Sequence, residues 1–376
     1  MKRFLTRSAV LAGVSALALS AQGLAFASVA PTPDDTAAVS GGGVYALAHA
    51  DGLTYVGGTF TKMGGKPRAR VAAVRADGTV DPSFLPSTDG KVDALAVSSD
   101  GTTVFLGGTF TTVDGVPRAN LAAVDAVTGQ LLPDWSADTT GTSPDVKALT
   151  VVGDRLYVGG RFSGIDGTGR RKLVALDAAT GDLVSAFRPQ PNGTINEVKV
   201  SPDGSIVYAG GGFSTIGGQS RFTAGAVYAD TGLATPFAPA VDGGNVVTAG
   251  LTPDGSTFFA STDNNTVFGF DTRLATAPPK WSTKMSGNTQ AMACSDTELY
   301  IGGHFASNIT QKLKRNFFAS LNPATGLVTS WDPQATGGKM GVWALLIEGD
   351  HLHAGGVFSY FGTDPQRGYA RFTGTP

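Results

Sequence analysis

One position in this chain changes its chemistry each time a short hydrophobic motif recurs. The motif is Val-x-Ala-Leu or a close variant, and its second residue is aromatic, acidic, basic, amide or aliphatic. In chain order these residues are Tyr45, Asp93, Lys147, Asn196, Val247, Gln290 and Trp343. A constant frame holds this residue in one place, so its variation favours ligand contact over packing. Except for Val247, we interpret these residues as binding residues, because aromatic and polar side chains at a concave opening suit a glycan or a peptide.

A second interpretation is that these side chains only fill the space at the centre of the fold. The sequence leaves both interpretations open. Asp93 and Lys147 would be the acid/base pair if the protein were an extracellular carbohydrate-active hydrolase or lyase. Asp134, Asp145 and Asp332 are expected on the same face, which is too loose a set to assign an acid and a base. No Gly-x-Ser-x-Gly elbow or phosphate-binding loop is present, so we favour non-catalytic binding over catalysis.

An arginine recurs in the loop after a conspicuous phenylalanine motif. Arg68, Arg118, Arg170 and Arg221 each lie eight residues after the phenylalanine, whereas Arg315 lies ten and Arg367 nine residues after it. A ring of guanidinium groups could recognise an anionic polymer. Regular recurrence instead favours a structural role, in which each arginine bonds loop carbonyls or an aspartate such as Asp125 or Asp177.

The histidines and the single cysteine do not form a convincing metal site. His351 and His353 have a spacing that is compatible with metal binding, but the sequence places no third ligand beside them. His353 also occupies a position where other repeats have tyrosine, so we expect it to pack against the neighbouring repeat. Cys294 is the only cysteine and cannot form an intramolecular disulfide. We therefore predict no metal and no cofactor.

These residues lie in a unit that is repeated along the chain. The motif Tyr-Val-Gly-Gly-Thr-Phe at 55–60 returns as near-copies, and the intervals between copies are 50, 52, 51, 51, 41 and 53 residues. The first glycines are Gly57, Gly107, Gly159, Gly210, Gly302 and Gly355, and Ser261 takes this place in the degenerate fifth copy. A period of about 50 residues with short strands predicts a β-propeller with one four-stranded blade per repeat.

Each repeat contains signals for four antiparallel strands. The first carries the variable position, the second carries the double glycine, and the third is typified by Asn-Leu-Ala-Ala-Val at 120–124. The fourth carries an aromatic residue, such as Phe84 or Trp135. Because blades crowd towards the axis, we interpret the glycines as permitting close approach of neighbouring backbones. The degenerate fifth repeat should be the most irregular.

The predicted fold is an all-β, seven-bladed propeller with kelch-like strand order. The repeats lie near 44–90, 92–144, 146–193, 195–244, 246–287, 289–340 and 342–376. The last repeat ends where its third strand should finish. We therefore expect residues 28–41 to supply the missing fourth strand and to close the ring of residues 42–376, which removes an exposed sheet edge.

The first 27 residues resemble a secretory signal peptide. Lys2, Arg3 and Arg7 precede an apolar stretch, and Ala25-Phe26-Ala27 is a small-x-small cleavage site. We predict cleavage near Ala27, an extracellular product and no membrane span afterwards. The remaining chain has 25 basic and 30 acidic residues, a net charge of −5, which argues against nucleic acid as a partner. We expect a monomer.

The repeats carry a family resemblance. The pattern Phe-Thr-x-x-x-Gly-x-x-Arg-x-x-Leu-Ala-Ala-Val-Asp-x-x-Thr-Gly resembles the delta-60 repeat propellers of secreted bacterial proteins, and the strand order resembles the kelch class. It is also similar to the extracellular repeats of the fungal cortical polarity marker. The resemblance covers residues 42–376, although the fifth copy lacks both glycines. It implies the fold and export, but no catalytic residues, because the bacterial family has no established activity.

Overall fold

The computed structural model describes residues 28–338 and 341–374, and these residues form an all-β structure. The predicted signal peptide, residues 1–27, lies outside the described residues. Within the described ranges the chain has strands, turns and loops but no helix. Consequently, no helix there is long and apolar enough to cross a membrane.

Seven antiparallel sheets carry the repeats, and each is a meander of consecutive strands. The first strands are Val44–Ala50, Val92–Val97, Asp145–Val152, Thr194–Val200, Val246–Leu251, Thr289–Cys294 and Gly341–Glu348. The second strands are Leu53–Gly58, Thr103–Gly108, Arg155–Arg161, Ile206–Gly212, Thr257–Thr262, Leu299–Gly303 and His351–Val357. The third strands are Val71–Arg75, Leu121–Asp125, Leu173–Asp177, Ala224–Tyr228, Thr266–Asp271, Phe318–Leu321 and Tyr369–Thr373.

The first strands lie side by side at the centre of the molecule. Each packs against the first strand of the following repeat, and Gly341–Glu348 packs against Val44–Ala50. The strands form separate sheets rather than one closed sheet. Separate meanders whose innermost strands adjoin one another are the arrangement of a β-propeller, so the expected fold type is present.

The fourth strand is less regular than the sequence pattern predicts. Among the described residues, only the fifth repeat has a regular fourth strand in its sheet, Trp281–Lys284. Elsewhere single bridges mark this place: Val74 with Val80, Val124 with Leu131, Leu176 with Leu183, Val227 with Ala234 and Leu321 with Val328. Proline, which has no N–H to donate to a ladder, accounts for part of this difference, although residues 183–187 of the third repeat contain none. Other irregular segments contain prolines such as Pro82, Pro133 and Pro333, whereas Trp281–Lys284 contains none.

Two sets of two-residue strands complete the described secondary structure. Strands in the loops between second and third strands are Lys62–Met63, Lys66–Pro67, Thr112–Val113, Val116–Pro117, Gly164–Ile165, Thr215–Ile216, Gln219–Ser220, Ser307–Asn308, Leu313–Lys314, Tyr360–Phe361 and Asp364–Pro365. The others are Val39–Ser40, Thr139–Thr140, Ala238–Pro239, Thr276–Ala277 and Ala335–Thr336. Thr139–Thr140 pairs with Gly164–Ile165, so the end of one repeat is tied to a loop of the next.

The double glycine has a different steric role at each of its two positions. A Cβ atom on Gly107 would lie 2.5 Å from Cγ1 of Val146, which belongs to the first strand of the next repeat and is fully buried. A Cβ atom on Gly108 would overlap the backbone carbonyl of Lys91 in its own sheet. The first glycine therefore sets the distance between sheets, and the second allows close backbone contact within a sheet.

Aromatic pairs fill the wider space away from the axis. In six repeats an aromatic residue of the second strand contacts the aromatic residue of the fourth segment, with ring centroids 5.1 to 5.8 Å apart. The pairs are Tyr55–Phe84, Phe105–Trp135, Tyr157–Phe187, Tyr208–Phe237, Phe259–Trp281 and Tyr300–Trp331. Such edge-to-face and tilted pairs add stability beyond the area that they bury. They anchor the fourth segments where hydrogen bonding is sparse.

The seventh repeat has His353 in place of the second-strand aromatic residue. This histidine is buried and lies where the last repeat meets the first. Its Nδ1 is 2.8 Å from the hydroxyl of Tyr369 and 3.4 Å from that of Thr54 in the first repeat. Burial lowers the pKa of His353 to about 3, and the nearby His49, His351 and Arg371 act in the same direction.

Replacing Gly107 with alanine tests the spacing between sheets. We expect Gly107→Ala to lower the free energy of unfolding by about 1–3 kcal/mol, because its methyl group overpacks against Val146. Gly169→Ala is the control, since a Cβ there meets nothing within 4 Å; it should be neutral or stabilising by up to about 1 kcal/mol. Val146→Ala should partly relieve the defect in a double variant. Equal denaturation midpoints for the two single variants would contradict the interpretation.

Acid sensitivity should distinguish the buried His353 from an ordinary histidine. The unfolded chain binds a proton near pH 6.5, whereas the folded chain does so only near a pKa of about 3. The stability contributed by neutral His353 is therefore complete above pH 6.5 and is lost as the pH falls towards 3. By about pH 4 the loss should be on the order of 2–3 kcal/mol.

His353→Tyr, which introduces the residue found at Tyr55, should weaken this pH dependence in thermal melts. His304→Tyr makes the same substitution at an exposed histidine and should leave the pH dependence of stability as in the wild type. An identical pH profile for wild type and His353→Tyr would show that other groups control acid sensitivity.

Candidate functional site

The variable position of each repeat coincides with an irregularity in its first strand. The pairing of first and second strands shifts between Val44 and Ala46, and at the equivalent place in each of the other six sheets. The residue inside each shift is Tyr45, Asp93, Lys147, Asn196, Val247, Gln290 or Trp343. A bulged residue is excluded from the regular ladder, and the bulge re-aims its side chain. The backbone therefore presents each variable residue in the same unusual way.

All seven variable residues line one opening at the centre of the molecule. All seven are partly buried. The adjoining part of the channel is lined by alanine and leucine residues of the Val-x-Ala-Leu frame, for example Ala94 and Leu95, and also by polar residues such as Lys199 and Thr248. The structure thus brings the predicted binding residues together at one opening. We call this opening the channel mouth.

One side of the channel mouth is aromatic. The rings of Tyr45 and Trp343 are 5.3 Å apart between centroids and are tilted by 54°. The exposed His304 lies 6.4 Å from Trp343 between ring centroids. The indole Nε1 of Trp343 is buried and has no hydrogen-bond partner among the described residues, which leaves a donor whose desolvation is uncompensated.

Three neighbouring repeats contribute ion pairs around the mouth, and the first of these pairs lies beside the aromatic rings. Each joins a lysine to a carboxylate two residues away in the same repeat: Lys91 with Asp93 at 2.5 Å, Lys147 with Asp145 at 2.9 Å and Lys199 with Glu197 at 3.1 Å. The charges balance within this set. The mouth therefore offers cationic and anionic groups in alternation rather than a field of one sign.

Burial alters the proton affinity of two residues in the mouth. Burial raises the pKa of Asp93, and the nearby Asp145 adds to the rise, whereas Lys91 and Lys147 oppose it. Burial also raises the pKa of Tyr45, and the charge of Asp93 contributes. Asp93 is thus a carboxylate whose charged form depends on its lysine neighbours.

Sequence reasoning missed three residues of this site. Glu197 replaces the frame alanine in the fourth repeat and accepts a hydrogen bond from Thr248 of the fifth repeat. Lys199 lies two residues farther along the same strand as Glu197. A charged residue in place of a frame alanine was the available signal for Glu197. Lys91 precedes its strand and enters the mouth from outside the motif, so no periodicity could have identified it.

Five of the six loop arginines bond backbone carbonyls of their own repeats. Arg118 donates to the carbonyls of Pro117 and Pro133 at 2.9 Å each. Arg68, Arg170, Arg221 and Arg315 likewise donate to a carbonyl of the fourth segment. These side chains tie the loop to the segment that lacks a regular ladder. This bonding indicates a structural role for these arginines rather than a shared anion-binding site.

Arg367 differs from the other loop arginines. Its side chain is exposed and has no hydrogen bond within the described parts of the chain. The backbone register assigns the equivalent place to Gln366, whose N–H donates to the Ser359 carbonyl as that of Arg118 does to Thr111. Gln366 is buried, and its Nε2 donates to the carbonyl of Asp34 at 2.9 Å. The eight-residue spacing seen in other repeats falls on Gln366 when it is counted from Phe358, so Gln366 rather than Arg367 takes the place of the loop arginine.

The remaining candidates do not gather at the mouth. His351 contacts Asp350 at 2.7 Å, and Cys294 is held beside the Ser295 carbonyl with its pKa raised by burial to about 12. Among the described residues no group of three or more His, Cys, Asp or Glu side chains is arranged to hold a metal ion.

Comparisons with known proteins agree with the fold. A family model described as a beta-propeller domain of unknown function (DUF5122) matches residues 49–84, which span the second strand, the third strand and Phe84 of the first repeat. No curated protein matches the chain. The computationally designed Ika8 protein is similar in structure, with a TM-score of 0.54 and 13% identity over 92% of this chain and 100% of that chain. At this identity the likeness shows the fold alone. The chain is a β-propeller repeat protein by fold and by this one matched repeat.

Proposed function

We propose that the protein is a non-catalytic binding module that holds a glycan or a protein ligand at the channel mouth. The observation that carries the proposal is the convergence of seven bulged residues of different chemistry on one opening. The scaffold needs the valines and glycines around them, but it does not need any particular residue on the bulge. Freedom of this kind at a concave, partly aromatic surface is typical of a recognition site.

A hydrolase or lyase that acts on carbohydrates is the second candidate. The raised pKa of Asp93 favours it, since a carboxyl group that holds its proton longer can act as a general acid. Against it, Asp93 is paired with Lys91 and Lys147 is paired with Asp145. Each member of the required acid/base pair is thus engaged by its own neighbour, and we prefer binding for this reason.

We further propose that the seven sheets are the blades of one ring, which residues 28–41 close. Val29 bridges Gly374, and Asp34 accepts hydrogen bonds from Arg371 and Thr373 at 2.6 and 2.8 Å. Val39–Ser40 then pairs with Lys62–Met63 of the first repeat. The segment that leads into the third repeat follows the same path, because its last strand, Thr139–Thr140, pairs with Gly164–Ile165 in a loop of that repeat. In this proposal the N-terminal segment is the fourth strand of the seventh blade, in a kelch-like, delta-60 type of propeller.

Export is part of the same proposal. Cleavage after Ala27 would leave Ser28 as the first residue, immediately before the contacts of Val29. The released protein would then begin with the segment that closes the ring. The apolar leader would have been removed and could not interfere with this closure. We propose that the mature protein acts outside the cell.

Truncation of the N-terminal segment tests closure and export together. The exported product should begin at Ser28 when its N-terminus is sequenced. Deleting residues 28–38 should lower the free energy of unfolding by about 3 kcal/mol or more, because buried Val29 and several hydrogen bonds are lost. Removing only residues 1–27 is the control and should give the wild-type melting curve. A deletion of 28–38 that melts like this control would refute closure by this segment.

A glycan array combined with two variants tests the binding proposal. Trp343→Ala should reduce binding of the captured ligand at least about tenfold while changing stability little, because stacking aromatics dominate such sites. Arg118→Ala should do the reverse, lowering the free energy of unfolding by about 1–3 kcal/mol through the loss of its carbonyl bonds. Tyr228→Ala removes an exposed ring from a third strand and controls for nonspecific adhesion.

Two results would contradict the binding proposal. If Trp343→Ala unfolds the protein while Arg118→Ala melts like wild type, the two sets of residues have been assigned the wrong way round. If the wild-type protein depolymerises the captured glycan and Asp93→Asn abolishes that activity, the enzyme is the correct candidate.

A further inference from the structure

Lys91 places an ammonium group against the aromatic side of the channel mouth. Its Nζ lies 3.7 Å from the centroid of the Tyr45 ring and 5.9 Å from that of Trp343. The same atom is 2.5 Å from Oδ1 of Asp93. Two aromatic rings from adjoining repeats and one carboxylate thus surround a single cation. We call Tyr45, Trp343 and Asp93 the cage.

The cage has the properties that proteins use to bind organic ammonium groups. A cation over an aromatic face is attracted by the ring quadrupole, and desolvation strengthens this attraction. The tilt of 54° between the two rings makes them two walls rather than a flat stack. Asp93 adds a charge-assisted hydrogen bond. Nothing in this chemistry requires the cation to belong to the protein itself.

Lys91 is well suited to be a removable occupant of the cage. It lies just before the first strand of its repeat, and its carbonyl accepts a hydrogen bond from the N–H of Thr109, which fixes the backbone. Its side chain is 31% exposed, and its four-carbon stem is flexible. The ammonium group can therefore leave for solvent by side-chain rotation alone, without disturbing the strand.

We propose that the cage binds the protonated amine of an amino sugar in a glycan, and that Lys91 is an internal competitor that vacates it. This inference rests on the binding function proposed above and specifies its ligand. When the sugar enters, its ammonium group takes the position of the Lys91 Nζ between Tyr45, Trp343 and Asp93. Lys91 then lies at the rim, where its charge remains solvated.

The rest of the channel mouth favours a sugar over a purely aliphatic amine. Asn196 and Gln290 contribute amide groups, and Glu197 contributes a carboxylate; together they provide the donors and acceptors that hydroxyl groups require. An amino sugar carries both the cation and the oxygens on one ring.

Titration calorimetry with a glucosamine trimer and its fully N-acetylated counterpart tests the inference. The measurements are made at mildly acidic pH, where the free amine is charged. We expect the wild-type chain to bind the glucosamine trimer more tightly than the acetylated one. Lys91→Met keeps the apolar stem but removes the competing charge, so it should tighten binding of the glucosamine trimer about tenfold. Tyr45→Ala should weaken that binding about tenfold.

Two controls separate the cage from general effects. Lys66→Met makes the same substitution at an exposed lysine in a loop outside the channel mouth, and it should leave both affinities unchanged. Thermal melts of all variants show whether each is folded at the temperature of the titration. If Lys91→Met proves unstable, Lys91→Gln is the second variant, and it should tighten binding in the same direction.

Three outcomes would overturn the inference. Equal affinity for the two trimers, with no gain in Lys91→Met, would show that the amine is not recognised. A trimethyllysine peptide that binds through Tyr45 when the glucosamine trimer does not would assign the cage to a protein ligand. Binding of neither trimer, while the array still captures a ligand that Trp343→Ala releases, would refute the amino sugar and leave the proposed binding function intact.

Discussion

The close approach of neighbouring sheets near the axis is the constraint on which the rest of this structure depends. Gly107 lies against Val146 of the next repeat with no room for a methyl group, and the same contact recurs between Gly210 and Val246. The second glycine brings the backbones of one sheet equally close, beside the bulge in the first strand. Because bulge and glycine occur together, the requirement for tight packing also creates the position that presents a side chain to the channel mouth.

Within each first strand, the residue before the bulge therefore belongs to the scaffold, and the bulged residue lines the channel mouth. The residue before the bulge is fully buried in every repeat, and where a glycine faces it, as for Val92 and Val146, that glycine leaves room for its side chain. The bulged residue has no such neighbour and can be a tyrosine, a carboxylate or an amide without altering the packing. Loop arginines such as Arg118 and aromatic pairs such as Tyr55–Phe84 carry the outer parts of each repeat. The bulged residue can therefore change while stability is preserved.

The fifth and the seventh repeats depart from the pattern that the other repeats share. In the fifth repeat Ser261 replaces the first glycine and remains fully buried opposite the repeat that begins with Thr289, yet the sheet there is the most complete. This repeat, which the sequence marks as the most irregular, departs from the others by its regular fourth strand Trp281–Lys284 and by the parallel pairing of Thr276–Ala277 with Ala238–Pro239. In the seventh repeat, where the chain ends meet, His353 and Gln366 replace the usual aromatic and arginine residues and contact Thr54 and Asp34.

Local periodicity and comparison between repeats are enough to predict the all-β propeller fold, the order of strands and the set of variable residues. The tertiary structure was needed to show that Lys91 lies over Tyr45 and that Gln366 bonds the carbonyl of Asp34. The first contact joins two different repeats, and the second joins the two ends of the chain. A period of about 50 residues predicts that repeats adjoin one another, but the contacts of individual atoms across them follow only from how the sheets are placed around their common axis.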